Sequence, residues 1–367
     1  MKKLYPVVVV LLAAVLLLSA CGPKAINCSD AETFCVGEVT DMGGVDDKSF
    51  NASAWLGTQN AIDDKLIASG KYLESNAQAD YAGNIQQFLS ENTDLIITVG
   101  FLLGVDTAKA AVANPNTSFA IVDYAYPDCW PGAVVGTDCG SDVDLPNVRG
   151  LMFQTDQAAF LAGYLAAGMT VTGKVGTFGG IPIPTVTIFM KGFQAGVKYY
   201  NQQKNAQVEV VGWNDATGEG LFTGNFDSTD DGRAFAQSLM QEGVDIIMPV
   251  AGPVGLGSAA ICLETGGCKI IGVDNDWFES ASEYKSVILS SVMKKIDAAV
   301  YKTIQDYVAG NFTGGTVTYT IADGGVDLAP YHEFDSAVPQ TLKDEITQIK
   351  QQLIAGTLTV DAVLALP

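Results

Sequence analysis

Histidine is nearly missing from this chain: His332, in Pro330-Tyr331-His332-Glu333, is the only one in 367 residues. A hydrolase or transferase needs a positioned base, most often a histidine. Neither a Gly-x-Ser-x-Gly elbow nor a Walker Lys-Ser/Thr pair makes up for the shortage, so His332 is read as a packing or surface residue and no enzyme is expected. Positive charge is also scarce, with 20 Lys and Arg against 41 Asp and Glu. Such a surface repels phosphate backbones and anionic lipid, which argues against a nucleic-acid partner. No Cys-x-x-Cys is present and one histidine cannot complete a zinc ligand set, so no metal and no cofactor are expected. Beyond residue 21 no apolar run approaches the ~20 residues of a membrane-spanning helix.

What is present begins at the N-terminus. Lys2 and Lys3 precede an apolar run over 7–18 and then Leu18-Ser19-Ala20-Cys21. A basic start, a short apolar segment and small residues before a cysteine describe an export signal. The last four residues resemble the bacterial lipobox, which predicts a signal peptide over 1–20, acylation of Cys21, and a tether over 21–32. The protein is then anchored to the extracytoplasmic face of the lipid bilayer rather than spanning it. The six other cysteines fall into close pairs, Cys28 with Cys35, Cys129 with Cys139 and Cys262 with Cys268. In an exported protein this spacing predicts three local disulfides.

From residue 34 onward, strand-length apolar runs alternate with helical spacing. The strands are expected at 34–40, 95–99, 119–123, 148–153, 174–178, 208–213, 245–250, 269–273 and 287–292, and the helices at 50–66, 83–90, 156–168, 187–202, 232–241, 257–264 and 295–308. This alternation specifies an α/β fold with parallel sheets, and the length favours two lobes. Ligands of open α/β sheets sit beyond the carboxyl ends of the strands. Those ends read Thr40-Asp41-Met42-Gly43-Gly44, Val122-Asp123, Phe178-Gly179-Gly180, Val250-Ala251-Gly252 and Val273-Asp274-Asn275-Asp276. Carboxylates there accept from hydroxyls and aromatic rings stack on flat surfaces, a combination suited to a nucleoside.

The stretch Val39-Thr40-Asp41-Met42-Gly43-Gly44-Val45-Asp46-Asp47-Lys48-Ser49-Phe50-Asn51 resembles the opening motif of the basic membrane lipoprotein family, substrate-binding lipoproteins of ABC importers. The likeness continues in order through Gly179-Gly180-Ile181-Pro182-Ile183-Pro184, Ala251-Gly252-Pro253-Val254-Gly255-Leu256-Gly257, Gly272-Val273-Asp274-Asn275-Asp276 and Leu289-Ser290-Ser291-Val292-Met293-Lys294-Lys295. The resemblance implies a type I periplasmic-binding fold: two doubly wound lobes joined by three crossover strands around a central cleft. It divides the chain into an N-terminal lobe of 33–152 plus 277–310 and a C-terminal lobe of 153–276 plus 311–367. The crossovers then fall near 149–155, 274–280 and 310–315. The implied ligand is a purine nucleoside (guanosine, inosine or adenosine), passed to a membrane permease.

By the same resemblance Asp41 recognises the base, Phe50 and Phe226 stack on it, and Asn51 adds a polar contact. Asp123, Gly252, Asp274 and Lys294 contact ribose. Residues 215–224 read as an insertion, which leaves Trp213 as a rival for the second ring, and Asp276 rivals Asp274. Each residue also has a structural role open to it: Phe50 in the core, Asp47 or Ser49 as helix cap. Other readings are a sugar or autoinducer receptor of the same fold, and a surface adhesin without a transport role.

Overall fold

The computed structural model describes residues 28, 33–126 and 145–366. Cys21, the expected signal peptide, Cys129 and Cys139 lie outside the described residues. Five strands open the fold: β1 (Cys35–Thr40), β2 (Ser69–Leu73), β3 (Leu95–Val99), β4 (Ser118–Val122) and β5 (Val148–Phe153). After the helix Thr155–Met169 come β6 (Lys174–Gly179), β7 (Glu209–Val211) and a small antiparallel hairpin of β8 (Trp213–Asn214) and β9 (Glu219–Gly220). Then follow β10 (Ile246–Val250), β11 (Lys269–Asp274), β12 (Ile288–Lys294), β13 (Gly315–Tyr319) and β14 (Val326–Leu328). They form two six-stranded sheets, β13-β5-β4-β3-β1-β2 and β14-β12-β11-β10-β6-β7. Pairing is parallel throughout except between β12 and β14.

Central strands such as Leu-Ile-Ile-Thr-Val in β3 and Ile-Ile-Met-Pro-Val in β10 are buried along their whole length, as expected where helices cover both faces. Pro249 is tolerated inside β10 because the ladder to β11 covers only Ile246 and Ile247, while the β6 ladder continues to Val250. The helix Thr155–Met169 is apolar on nearly all sides and buried from Ala158 to Ala167, the pattern of a helix inside a core. Its apolar side chains belong to one continuous cluster that takes in residues of both lobes.

The pairing corrects the expected lobe boundaries. β12 runs parallel to β11 and so belongs to the second sheet, and β13 runs parallel to β5 and belongs to the first. The chain therefore crosses after Phe153, again after Lys294, and a third time between Tyr319 and Val326. The turn after Asp274, where a crossover was expected, returns the chain to its own sheet. Asp276 caps the single-turn helix Trp277–Ser280 by accepting from Phe278 N, and Trp277 is buried with its Nε1 donating to Val273 O at 2.8 Å. Two of the three expected disulfides, Cys28–Cys35 and Cys262–Cys268, are formed.

One carboxyl is sealed among the strands of the first sheet. Glu38 on β1 is fully buried, and Thr58 Oγ1 donates to its Oε2 at 3.0 Å. Burial pushes its carboxyl up to about 8.

Candidate ligand-binding cleft

The strand ends of the two sheets meet around one cleft of about 570 Å³ of empty space, its open mouth included. All eight residues expected to hold ligand line it: Asp41, Phe50, Asn51, Asp123, Phe226, Gly252, Asp274 and Lys294. The two rivals do not. Trp213 is buried in the second lobe beside Gly220 and Met190. Asp276 holds His332 Nε2 at 2.6 Å, with the imidazole stacked flat on Phe278.

The first lobe supplies its side through the loop after β1. Asp47 Oδ atoms accept from the backbone N–H of Ser49, Asn51 and Ala52 at 2.7–2.9 Å, satisfying orphan donors at the start of the helix Phe50–Asp63. Asp47 thus caps the helix and also lines the cleft. Phe50, at the first helical position, is turned into the cleft instead of the core interior. Asn51 Nδ2 donates to Asp41 Oδ1 and to Asp47 Oδ2, each at 3.1 Å.

Ser49, freed from capping, reaches the other lobe. Its Oγ donates to Asp274 Oδ2 at 2.8 Å and contacts Val273 O at 3.2 Å. Asn275 Nδ2 returns the contact by donating to Ser49 O at 2.8 Å. Lys48 pairs with Glu283 at the rim. The lobes are therefore stitched together along one edge of the cleft.

Charge inside is unbalanced. Asp41, Asp47, Asp123 and Asp274 line the cleft with a single lysine, Lys294. Lys294 is 2% exposed, pairs with Asp123 Oδ2, and lies over the rings of Phe50 at 4.9 Å and Phe153 at 5.1 Å. Burial raises all four carboxyls. Asp47 is pushed up to about 6. Asp41 is raised well above the usual carboxylate range, with Asp47, Asp123 and Asp274 adding repulsion to burial. Burial lifts Asp123 and Asp274 as well, against the pull of Lys294. Asp123 and Asp274 both sit in the left-handed region, at φ +66° each. Backbone outliers of this kind concentrate at ligand sites.

Besides Asp274 and Lys294, the second lobe supplies bare backbone and a ring. Residues 221–224 run alongside the end of β6: Gly179 N donates to Leu221 O, Thr223 N to Gly179 O and Gly224 N to Gly180 O. Asn225 then bonds Asp231 and accepts from Ser228 N, which fixes the loop that carries Phe226. Gly180 makes room for the ring, since a Cβ there would come within 2.3 Å of Phe226. Gly252 lines the cleft at φ +54°, just before the helix Val254–Thr265.

Sequence reasoning missed Phe101, Ile183, Thr185, Val186 and Phe189 as lining residues. The last four start the helix Pro184–Lys204 or directly precede it. The only available signal was the Pro182-Ile183-Pro184 turn just past the end of β6.

Comparison with known proteins places these features. The model for "ABC transporter substrate-binding protein PnrA-like" proteins matches residues 34–362. An "ABC transporter nucleoside-binding protein BmpA" of Lactococcus lactis subsp. cremoris is 30% identical, covering 98% of this chain and 99% of the relative. A "CD4+ T-cell-stimulating antigen" of Listeria monocytogenes is 32% identical, covering 95% and 96%. Among solved structures, an ABC transporter solute-binding protein from Aeropyrum pernix superimposes with a TM-score of 0.76 at 25% identity, covering 89% of this chain and 92% of that one. One from Conexibacter woesei, at 20% identity and a TM-score of 0.65, shares the fold. With its two α/β lobes of type I periplasmic-binding architecture and a family match over nearly its whole length, the chain belongs to the PnrA-like ABC transporter substrate-binding proteins, a family of solute binders and not of enzymes.

Proposed function

We propose that this protein is a lipid-anchored extracytoplasmic receptor that holds a purine nucleoside between its lobes and delivers it to an ABC permease. The observation that carries the reading is the composition of the cleft: Phe50 from one lobe and Phe226 from the other, with carboxylates, Asn51 and Lys294 around them. Two rings suit the faces of a base, each stacking contact contributing about 1–3 kcal/mol. Asp123, Asp274 and Lys294 offer acceptors and a donor for ribose hydroxyls. Four carboxylates against one lysine disfavour a phosphate, so the ligand is the nucleoside and not the nucleotide. The Lactococcus relative, named as a nucleoside-binding protein, supports the choice.

Anchoring through acylated Cys21 accounts for the apolar leader, and among the described residues no helix is long and apolar enough to cross a membrane. Calorimetry with guanosine, inosine, adenosine and guanosine monophosphate tests the ligand. Micromolar or tighter binding of at least one nucleoside, with the monophosphate much weaker, is the expected result. Tight binding of a sugar with no heat from any nucleoside would overturn it. Metabolic labelling with an alkynyl fatty acid, abolished by Cys21→Ser, tests the anchor.

A further inference from the structure

The amide of Asn51 has only one sensible orientation. Its two neighbours at 3.1 Å are carboxylate oxygens, of Asp41 and Asp47, so the end facing them is the donating Nδ2. Oδ1 is left buried and without a partner, in a side chain only 1% exposed that lines the cleft. Buried acceptors are rarely left unpaired, and one in a ligand site needs an explanation. Beside it, Asp41 Oδ1 is occupied by Asn51. Its Oδ2 lies against Gly100, where a Cβ would come within 2.3 Å and none exists. The first lobe thus holds two groups side by side, the Asn51 acceptor and Asp41 Oδ2, and the character of the second depends on a single proton.

We propose that Asp41 and Asn51 form a one-proton selector that decides which class of purine edge the cleft accepts. With Asp41 ionised, both groups accept, which matches a 6-oxopurine edge, where a ring N–H adjoins a further donor in guanine. With Asp41 protonated, Oδ2 donates and Asn51 Oδ1 accepts, which matches the 6-aminopurine edge, a ring nitrogen acceptor beside an amino donor. The carboxyl O–H bond of Asp41 is the one covalent bond made or broken, its proton coming from or going to solvent, and every other change is in hydrogen bonding.

The surroundings of Asp41 keep the proton within reach. Asp47 precedes the helix Phe50–Asp63, Asp123 follows β4 and Asp274 ends β11, and all three face Asp41 as like charges. Tyr81 is buried behind it as a neutral phenol, its titration pushed up by burial and by Asp41. Lys294 is engaged by Asp123. Burial and these neighbours hold the Asp41 carboxyl well above its usual range.

The inference rests on the nucleoside reading above, and the test separates the two. Dissociation constants for guanosine and adenosine are measured by calorimetry on the whole extracytoplasmic protein from pH 5 to pH 9, in paired buffers of different ionisation enthalpy. The expected result is a guanosine-to-adenosine preference that rises by up to about tenfold per pH unit. Adenosine binding should take up a proton on the alkaline side, and guanosine binding should release one on the acid side. Asp41→Asn, an amide that always offers a donor, should keep adenosine binding at alkaline pH and flatten the ratio. If the variant does not fold, proton uptake in the unmodified protein decides. A preference constant across pH, with both nucleosides bound, overturns the selector and leaves the nucleoside receptor standing. No binding of either nucleoside at any pH overturns both.

Discussion

The two lobes have matching strand order, β13-β5-β4-β3-β1-β2 against β14-β12-β11-β10-β6-β7, yet they furnish the cleft differently. Some strand ends correspond. β4 is followed by Asp123 and its counterpart β11 ends in Asp274, both left-handed. β3 leads to Gly100 and β10 to Gly252, both at positive φ and both lining the cleft. The contrast lies at the other ends. β1 leads to Asp41, while β6 leads to Gly180, whose missing side chain is replaced in space by Phe226 from the loop before the helix Thr229–Gln241. β5 ends in Phe153 and β12 in Lys294, and these meet with Nζ 5.1 Å from the ring centroid. The first lobe brings Asp41, Asn51, Asp123 and Phe50 and the second brings Asp274, Lys294 and Phe226, so a single scaffold yields two unlike walls by changing a few residues past its strands.

The largest effect should come from the crossover lysine, which has no counterpart in the first lobe. Lys294→Met leaves Asp123 buried without its partner and should cost about 3–5 kcal/mol of stability, seen as a lowered melting temperature. Adding Asp123→Asn should recover most of it. A single variant as stable as the parent would mean that the pair contributes nothing and that the two crossovers are interchangeable.

A second contrast lies inside the sheets. Glu38 on β1 stands where β6 has Thr177, counting from the strand starts. Its carboxyl titrates near 8 in the folded protein, far above the unfolded value. The folded state therefore binds the extra proton. Its stabilising contribution is complete below about pH 4.5 and is lost as pH rises to about 8, on the order of a few kcal/mol. Denaturant titrations of Glu38→Gln should show a flatter dependence across that window. An unchanged slope would remove Glu38 from the account.

Phe50→Ala and Phe226→Ala test whether both walls contribute a ring. Each should weaken nucleoside binding by about 1–3 kcal/mol with the fold intact. Gly180→Ala pushes the Phe226 ring aside without deleting it, so it should mimic Phe226→Ala and add little to it. Full additivity in the double variant would show that Gly180 acts elsewhere. The smallest effect belongs to the rim. Lys48 and Glu283 are 40% and 46% exposed in their side chains. Glu283→Gln should therefore alter binding by no more than about 1 kcal/mol, and less in high salt.

The sequence was legible where burial was symmetrical. Strands covered on both faces appeared as apolar runs, whereas β2 (Ser-Gly-Lys-Tyr-Leu) and β13 (Gly-Thr-Val-Thr-Tyr) are partly or mostly exposed edge strands with no such run. The helices Gly104–Ala113 and Gln340–Ile354 were missed as well, and in each only four residues are buried. The cleft was readable at strand ends, because a carboxylate or glycine there is visible in the chain. The choice of Phe226 over Trp213 was not. It depends on residues 221–224 extending the β6 edge and carrying the ring back over Gly180, a non-local event. The lobe boundary was misplaced for a related reason. The expected crossover after Asp274 came from the resemblance, and only the parallel pairing of β12 with β11, with Trp277 buried in the turn between them, shows that the chain turns back.

The disulfide Cys28–Cys35 has a mechanical consequence. Cys35 is the first residue of β1, an interior strand held by five registered pairs to β2 on one side and five to β3 on the other. A tug from the N-terminal side enters at the start of that strand through the disulfide, and its component along the strand axis loads both ladders. Parallel ladders on both flanks resist such a load in shear, all pairs together, instead of opening one by one like a zipper. The strand that takes the strain is the same one whose far end places Asp41 in the cleft, and the sheet around it spreads the load before it reaches the ligand.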